Sequence, residues 1–146
     1  GREFNVGLIG NPPEVLPIAE ISFDDLPEGH AKICSYEAKW HYGSIFDRGT
    51  KPYFPELPAK LRQNITTVAI KAYELFQCRD YARVDMRVDS KGLPYILEVN
   101  CNPDVSPNAG FFRAFSLNGR TYADFVAMLI TYAEERIANR EERVVP

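Results

Sequence analysis

Histidine and cysteine are scarce in this sequence. Two histidines, His30 and His41, stand among 146 residues, so chemistry that needs several imidazoles has little to draw on. The three cysteines are Cys34, Cys78 and Cys101. They are odd in number, widely spaced and form no C-x-x-C pair, which argues against a disulfide scaffold or a structural zinc site and points to a reducing cytoplasm. Apolar runs are short. None reaches the ~18 residues of a membrane span or resembles a secretory signal, so no membrane partner is expected. Positive charge is also in deficit, with 17 Lys and Arg against 20 Asp and Glu for a net charge of -3, so no nucleic-acid partner is expected. Neither G-x-x-x-x-G-K-[ST] nor G-x-G-x-x-G occurs, which removes the common phosphate-binding glycine loops.

What is present reads as globular. The chain is 45% hydrophobic and 25% charged, over a length that suits one core. The expectation is a single unit over residues 1–146 with a charged, frayed tail over 141–146. Residues 2–10 enter strand-like alternation at once, as a fragment of a larger domain would. Asn11-Pro12-Pro13-Glu14 reads as a turn, and Val15 to Phe23 as a second strand forming a hairpin with the first. Lys32 to Trp40 reads as a third extended segment. His41 to Pro58, dense in glycine and proline, reads as a long irregular loop. Leu57, Leu61, Ile65, Val68, Ala72 and Phe76 recur at helical spacing, with Pro58 in the first turn. Thr121 and Asp124 form a capping signal for a last helix from Tyr122 to about Asn139.

Between these helices lies a hairpin, Tyr81 to Val88 and Leu93 to Asn100, turning at Ser90-Lys91-Gly92. Period two gathers Arg83, Asp85, Arg87 and Asp89 on one face of the first strand, and Ile96, Glu98 and Asn100 on one face of the second. The apolar sets must share a side, so Arg83, Asp85, Glu98 and Asn100 collect on the other, with Asp85 nearly across from Glu98. Two carboxylates and an amide oxygen make a hard-ligand site suited to Mg²⁺. An adjacent arginine suits a phosphate, a carboxylate or an oxyanion. The plainer alternative is a solvated sheet face with Arg83 pairing Glu98. Facing acids with no base between them repel, which weighs toward a metal.

These residues resemble a known family. Arg83-Val84-Asp85, a short hairpin, and Leu97-Glu98-Val99-Asn100-Cys101-Asn102-Pro103 resemble the metal-binding hairpin of ATP-grasp enzymes. The likeness is greatest to the D-alanine–D-alanine ligase branch, with its R-x-D and L-E-x-N-x-x-P-G. Gly1-Arg2-Glu3-Phe4-Asn5-Val6 is similar to that branch's strand after the adenine hinge, and Tyr36-Glu37-Ala38-Lys39-Trp40 to its Y-E-A-K-Y segment. The resemblance implies an α+β fold, a mainly antiparallel sheet flanked by helices, forming the C-terminal half of an ATP-grasp domain. It implies ATP with Mg²⁺ or Mn²⁺ as cofactors. It also implies small carboxylate and amine substrates, the N-terminal half of the parent protein as partner, and room for a homodimer. By position, Asp85, Glu98 and Asn100 would hold metal, Glu3 the ribose, Lys39 the phosphate or substrate side, and Arg83 the tetrahedral intermediate.

Two departures from the family shape the expected substrate and activity. Asp104 stands where the family has glycine after the proline, and Ala109-Gly110 where D-alanine ligases have Ser-Leu. An acceptor with a neutral or cationic group is therefore expected rather than D-alanine. The glycine-rich loop and hinge of the family lie upstream of the matching strand, so this stretch alone should be inactive. The leading expectation is part of a carboxylate–amine ligase working through an acyl phosphate. The competing one is a non-catalytic module that binds metal-nucleotide or a partner through the same face. A calcium- or anion-binding domain has too few acids in its support. Cys101 reads as a small apolar filler. His41 reads as a plain loop residue, and Trp40 and Tyr42 as either ligand-closing or loop-anchoring.

Overall fold

The structure, a computed structural model, describes residues 1–142, less the side chains of residues 39, 40 and 140–142. Most of the expected tail lies outside the described residues. The centre is β1 (Arg2–Ile9), flanked on one side by β3 (Ala19–Ser22) and then β4 (Lys51–Tyr53), and on the other by β5 (Tyr81–Val88) and β6 (Pro94–Asn100). A two-residue β2 (Glu14–Val15) also pairs with β1, and every pairing is antiparallel.

The alternation of β1 is what splits the protein into two cores. Phe4, Val6 and Leu8 point to one face, beside Val84, Met86 and Val88 of β5, and α3 (Ala59–Leu75) covers them with Ile65, Ala69, Ala72 and Tyr73. On the other face, Ile9 and Leu16 pack with Phe111, Phe112 and Phe115 of α4 (Gly110–Ser116) and Phe125 of α5 (Tyr122–Glu142). Each buried Phe contributes roughly 2–3 kcal/mol of transfer free energy. The second core covers only one end of its sheet face. The other end carries the polar residues.

The hairpin, the long helix and the last helix stand where the sequence places them. Pro58 is the N-cap of α3, one residue before its first turn. The capping box of α5 closes: Thr121 Oγ1 accepts from the Asp124 amide at 3.2 Å, and Asp124 Oδ2 accepts from the Thr121 amide at 2.7 Å.

Several elements differ from expectation. The strand expected over Val15 to Phe23 is two strands, because Pro17 between them offers no N–H to the ladder. The segment expected to be extended ends in a helix, α1 (Tyr36–Trp40). Ser35 caps it by accepting the Ala38 amide at 3.2 Å, and a single turn is too short to show periodicity. The expected loop holds α2 (Ile45–Arg48), capped by Ser44, and β4, which tolerates Pro52 because it is an edge strand. The sequence reading missed α4: its N-cap position is Ala109, which has no side chain to announce a start.

Candidate active site

Residues paired across an antiparallel ladder project to the same face. On the uncovered face this makes three rows across β1, β5 and β6. Glu3, Arg87 and Tyr95 form the first, Asn5, Asp85 and Glu98 the second, and Gly7, Arg83 and Asn100 the third. Beyond the third row Ile9 pairs with Tyr81 at the aromatic core, which closes that end. Arg83, Asp85, Glu98 and Asn100 are thus brought together as predicted, with Asp85 directly across from Glu98.

One expected member drops out. The β5–β6 register slips between Asp85 and Met86, so Leu97 has no partner and Ile96 pairs with Met86. Ile96 therefore faces the α3 side, and Tyr95 takes its place beside Arg87. A bulge of one residue exchanges the faces of everything beyond it, and nothing in the alternation of Tyr95 to Asn100 reveals the slip.

The charges are paired differently from the simple cross-strand alternative. Arg83 grips Asp85 on its own strand, with Nε on Oδ1 at 2.7 Å and NH2 on Oδ2 at 2.8 Å. A base does therefore accompany the facing acids, contrary to the sequence argument. Asn5 Nδ2 adds a bond to Asp85 Oδ1 at 2.8 Å. Asp85 is 7% exposed, so these donors satisfy a carboxyl group that is nearly shut off from water. Burial disfavours the Arg83 cation, but Asp85, and more weakly Glu98, raise its pKa above the usual value. Glu98 is exposed, and among the described residues no hydrogen bond holds its carboxylate.

Glu3 lies one row away, buried, with Arg87 at 3.1 Å. Arg87 also donates to the Lys32 carbonyl and lies over the Phe23 ring at 5.5 Å. This ties the segment leading into α1 to the site face, and Cys34 of that segment lies close enough to Arg83 to raise its pKa. Lys39 belongs to α1, which follows that segment, and its side chain lies outside the described residues. Asn5 and Arg87 were not singled out from the sequence. The signal was there, since Asn5 shares a strand face with Glu3, and Arg87 with Arg83 and Asp85.

The loop after β6 is pinned. Asn100 Oδ1 accepts from the Asn102 amide at 2.9 Å, and Tyr81 donates its hydroxyl to Asn102 Oδ1 at 2.9 Å. Asp104 Oδ1 accepts from the Ser106 amide at 2.8 Å. The backbone and side chain of Ser106, and then Arg83, hold the Asp104 pKa below the usual carboxylate value, so Asp104 is an anion at neutral pH.

Among the described residues, no cluster of three or more His, Cys, Asp and Glu could hold a metal. The available donors are two carboxylates and an amide oxygen, which suit a hard ion that keeps water or phosphate oxygens in its shell. They fit Mg²⁺ or Mn²⁺. Glu98 is open, Asp85 Oδ2 accepts one bond where Oδ1 accepts two, and Asn100 Oδ1 accepts one, so Asp85 Oδ2 and Asn100 Oδ1 each keep a lone-pair direction.

An antiparallel sheet with one acidic, arginine-bearing hairpin and helices on both faces is the C-terminal lobe of an ATP-grasp domain. The chain belongs to the D-ala D-ala ligase C-terminus family, whose sequence profile matches residues 1–131. It is 33% identical over 137 residues to the protein y4sG of Sinorhizobium fredii, covering 93% of this chain and 39% of that one. It is 30% identical over 130 residues to D-alanine–D-alanine ligase B of Clostridium perfringens, covering 89% and 39%. The crystal structure of D-alanine–D-alanine ligase from Bacillus anthracis complexed with ATP superposes with a TM-score of 0.72 at 26% identity, covering 97% of this chain and 40% of that one. The chain thus spans about 40% of the length of the relatives it matches. Among the described residues no helix is long and apolar enough to cross a membrane.

Proposed function

We propose that this chain is the metal- and nucleotide-binding lobe of an ATP-dependent carboxylate–amine ligase. The observation that carries the proposal is the second and third rows of the site face, which bring Asp85, Glu98, Asn100 and Arg83 together beside Asn5. In this reading Asp85, Glu98 and Asn100 hold Mg²⁺ or Mn²⁺, with Glu98 the member most open to it. The ion, when bound, neutralises phosphate charge and orients the transferred group. Glu3 accepts from the ribose hydroxyls, with Arg87 paired to its carboxylate at 3.1 Å. Lys39 takes the phosphate or substrate side, a role that rests on the family resemblance.

Arg83 is the cation nearest the metal-binding acids. Attack of an amine on an acyl phosphate builds negative charge on the former carbonyl oxygen, and a guanidinium already desolvated and oriented stabilises such charge strongly. The anionic Asp104 in the following loop disfavours an acceptor carboxylate there, so the acceptor amine carries a neutral or cationic group at that point. The other lobe of the clasp would come from the rest of a longer protein.

The test uses the full-length natural protein. It should release ADP only when both a carboxylate and an amine are supplied, and Glu98→Gln should abolish the release while leaving the fold intact. Carboxylate- and amine-independent ADP release, or full turnover in the variant, would sink the reading. D-alanyl-D-alanine as the preferred product would overturn the assignment of the acceptor alone.

A further inference from the structure

The two cysteines that bracket the hairpin meet in space. Cys78 sits in the turn between α3 and β5 and is 7% exposed. Cys101 follows the last residue of β6 and is exposed. Their sulfurs are 3.3 Å apart. We propose that Cys78 and Cys101 form an oxidation site that closes reversibly into an intrachain disulfide when the protein meets a peroxide.

The geometry favours this pair and this direction. A disulfide sulfur pair is about 2 Å apart, so closure needs an approach of only about 1 Å. The approach falls on the side chains, because the Cys78 amide is bonded to the Tyr73 carbonyl at 3.0 Å and the Asn102 amide beside Cys101 to Asn100 Oδ1 at 2.9 Å. Cys34 cannot compete. It lies toward Arg83, whereas Cys78 packs in the core between the sheet and α3, in contact with Cys101.

The chemistry balances without a further reactant. The exposed Cys101 sulfur attacks one peroxide oxygen; the S–O bond forms, the O–O bond breaks, and the first water leaves with the thiol proton. The Cys78 sulfur then attacks the Cys101 sulfur; the S–S bond forms, the S–O bond breaks, and the second water leaves. Two thiols lose two electrons in total, and one hydrogen peroxide becomes two waters. A resolving thiol already in contact intercepts the sulfenic acid before a second peroxide can oxidise it further. The cross-link joins the end of α3 to the residue next to Asn100, so it ties the metal-binding hairpin to the helix beneath it. The proposal does not depend on the ligase reading.

The test treats the full-length natural protein, fully reduced, with one equivalent of hydrogen peroxide, blocks remaining thiols with a maleimide, and maps peptides by mass. The expected product is a peptide containing Cys78 joined to one containing Cys101, lighter by two hydrogens and released by dithiothreitol. Cys101→Ser should remove the cross-linked product and leave Cys78 unoxidised. Cys78→Ala, given two equivalents of hydrogen peroxide, should instead let Cys101 accumulate with two added oxygens. Two oxygens on Cys101 of the natural protein without a cross-link would overturn the proposal. So would a cross-link from Cys101 to Cys34 in place of Cys78.

Discussion

Arg83 and Asp85, two residues apart on β5, hold each other through both arms of the guanidinium at 2.7 and 2.8 Å, while Glu98 faces Asp85 from the next strand without a hydrogen bond of its own among the described residues. The pair gives the acidic site a built-in counterion in the absence of metal. Arg83→Ala should therefore leave a nearly buried carboxylate without its cation, costing about 3 kcal/mol or more of stability. A divalent ion can take over part of that role. Millimolar Mg²⁺ or Mn²⁺ should raise the thermal midpoint of Arg83→Ala more than that of the natural protein. Equal shifts in the two would show that Asp85 does not bind the ion.

Glu98 separates function from stability. Its carboxylate is exposed, so Glu98→Gln should change the unfolding free energy by about 0.5 kcal/mol or less. Turnover by the full-length protein should nonetheless fall by at least about 100-fold, the scale seen when one preorganised electrostatic group is removed. Urea unfolding and steady-state ADP release on the same preparation check both halves.

The residues of the proposed site on β5 and β6 were legible where period two was the governing rule, and Glu3 through the family resemblance alone. Glu3, Arg83, Asp85, Glu98 and Asn100 reach one face because β1, β5 and the end of β6 are regular. Tyr95 and Ile96 were misplaced because the bulge at Leu97 depends on how two strands settle together, not on either strand's own pattern. The helices α1, α2 and α4 were illegible for a related reason: each is two turns or fewer, too short for periodicity, and tertiary packing decides its state. For α4 the deciding contact is the aromatic cluster of Phe111, Phe115 and Phe125, which joins two segments separated by a polar turn.

A third buried carboxylate, on the opposite face of the sheet from Glu3 and Asp85, predicts a pH dependence. Burial opposes ionisation of Glu20, but hydrogen bonds from Arg2 at 2.6 Å and the Tyr53 hydroxyl at 2.6 Å outweigh it and hold its pKa below the ordinary 4.5. A folded-state pKa that is depressed adds stability above the unfolded value and loses it as pH falls through the folded one. Thermal midpoints of the natural protein and of Glu20→Gln should thus differ most at neutral pH, by the equivalent of about 2 kcal/mol. The difference should shrink steadily below pH 4.5. A gap that stays constant from neutral pH to pH 3 would mean, to within about 1 kcal/mol, that Glu20 contributes by packing and not by charge.

Gly7 sits where the two ends of the site face meet, opposite Arg83 on one strand and beneath α4. A methyl group there would lie 3.0 Å from the Leu16 Cδ1 and 3.3 Å from the Phe111 ring. Two effects then oppose each other. Replacing glycine by alanine in an ordinary strand conformation restricts the unfolded chain and stabilises by about 0.4–1 kcal/mol, while crowding a packed aromatic core costs about 1–3 kcal/mol. The contacts decide the sign: Gly7→Ala should be destabilising, by about 1 kcal/mol. Shrinking the obstacle should reverse it. In a Phe111→Leu background the same substitution should become neutral or stabilising, so a double-mutant cycle by urea unfolding should give a favourable coupling of about 1 kcal/mol. Additive effects would instead place the role of Gly7 in the backbone of β1 and not in the close approach of α4.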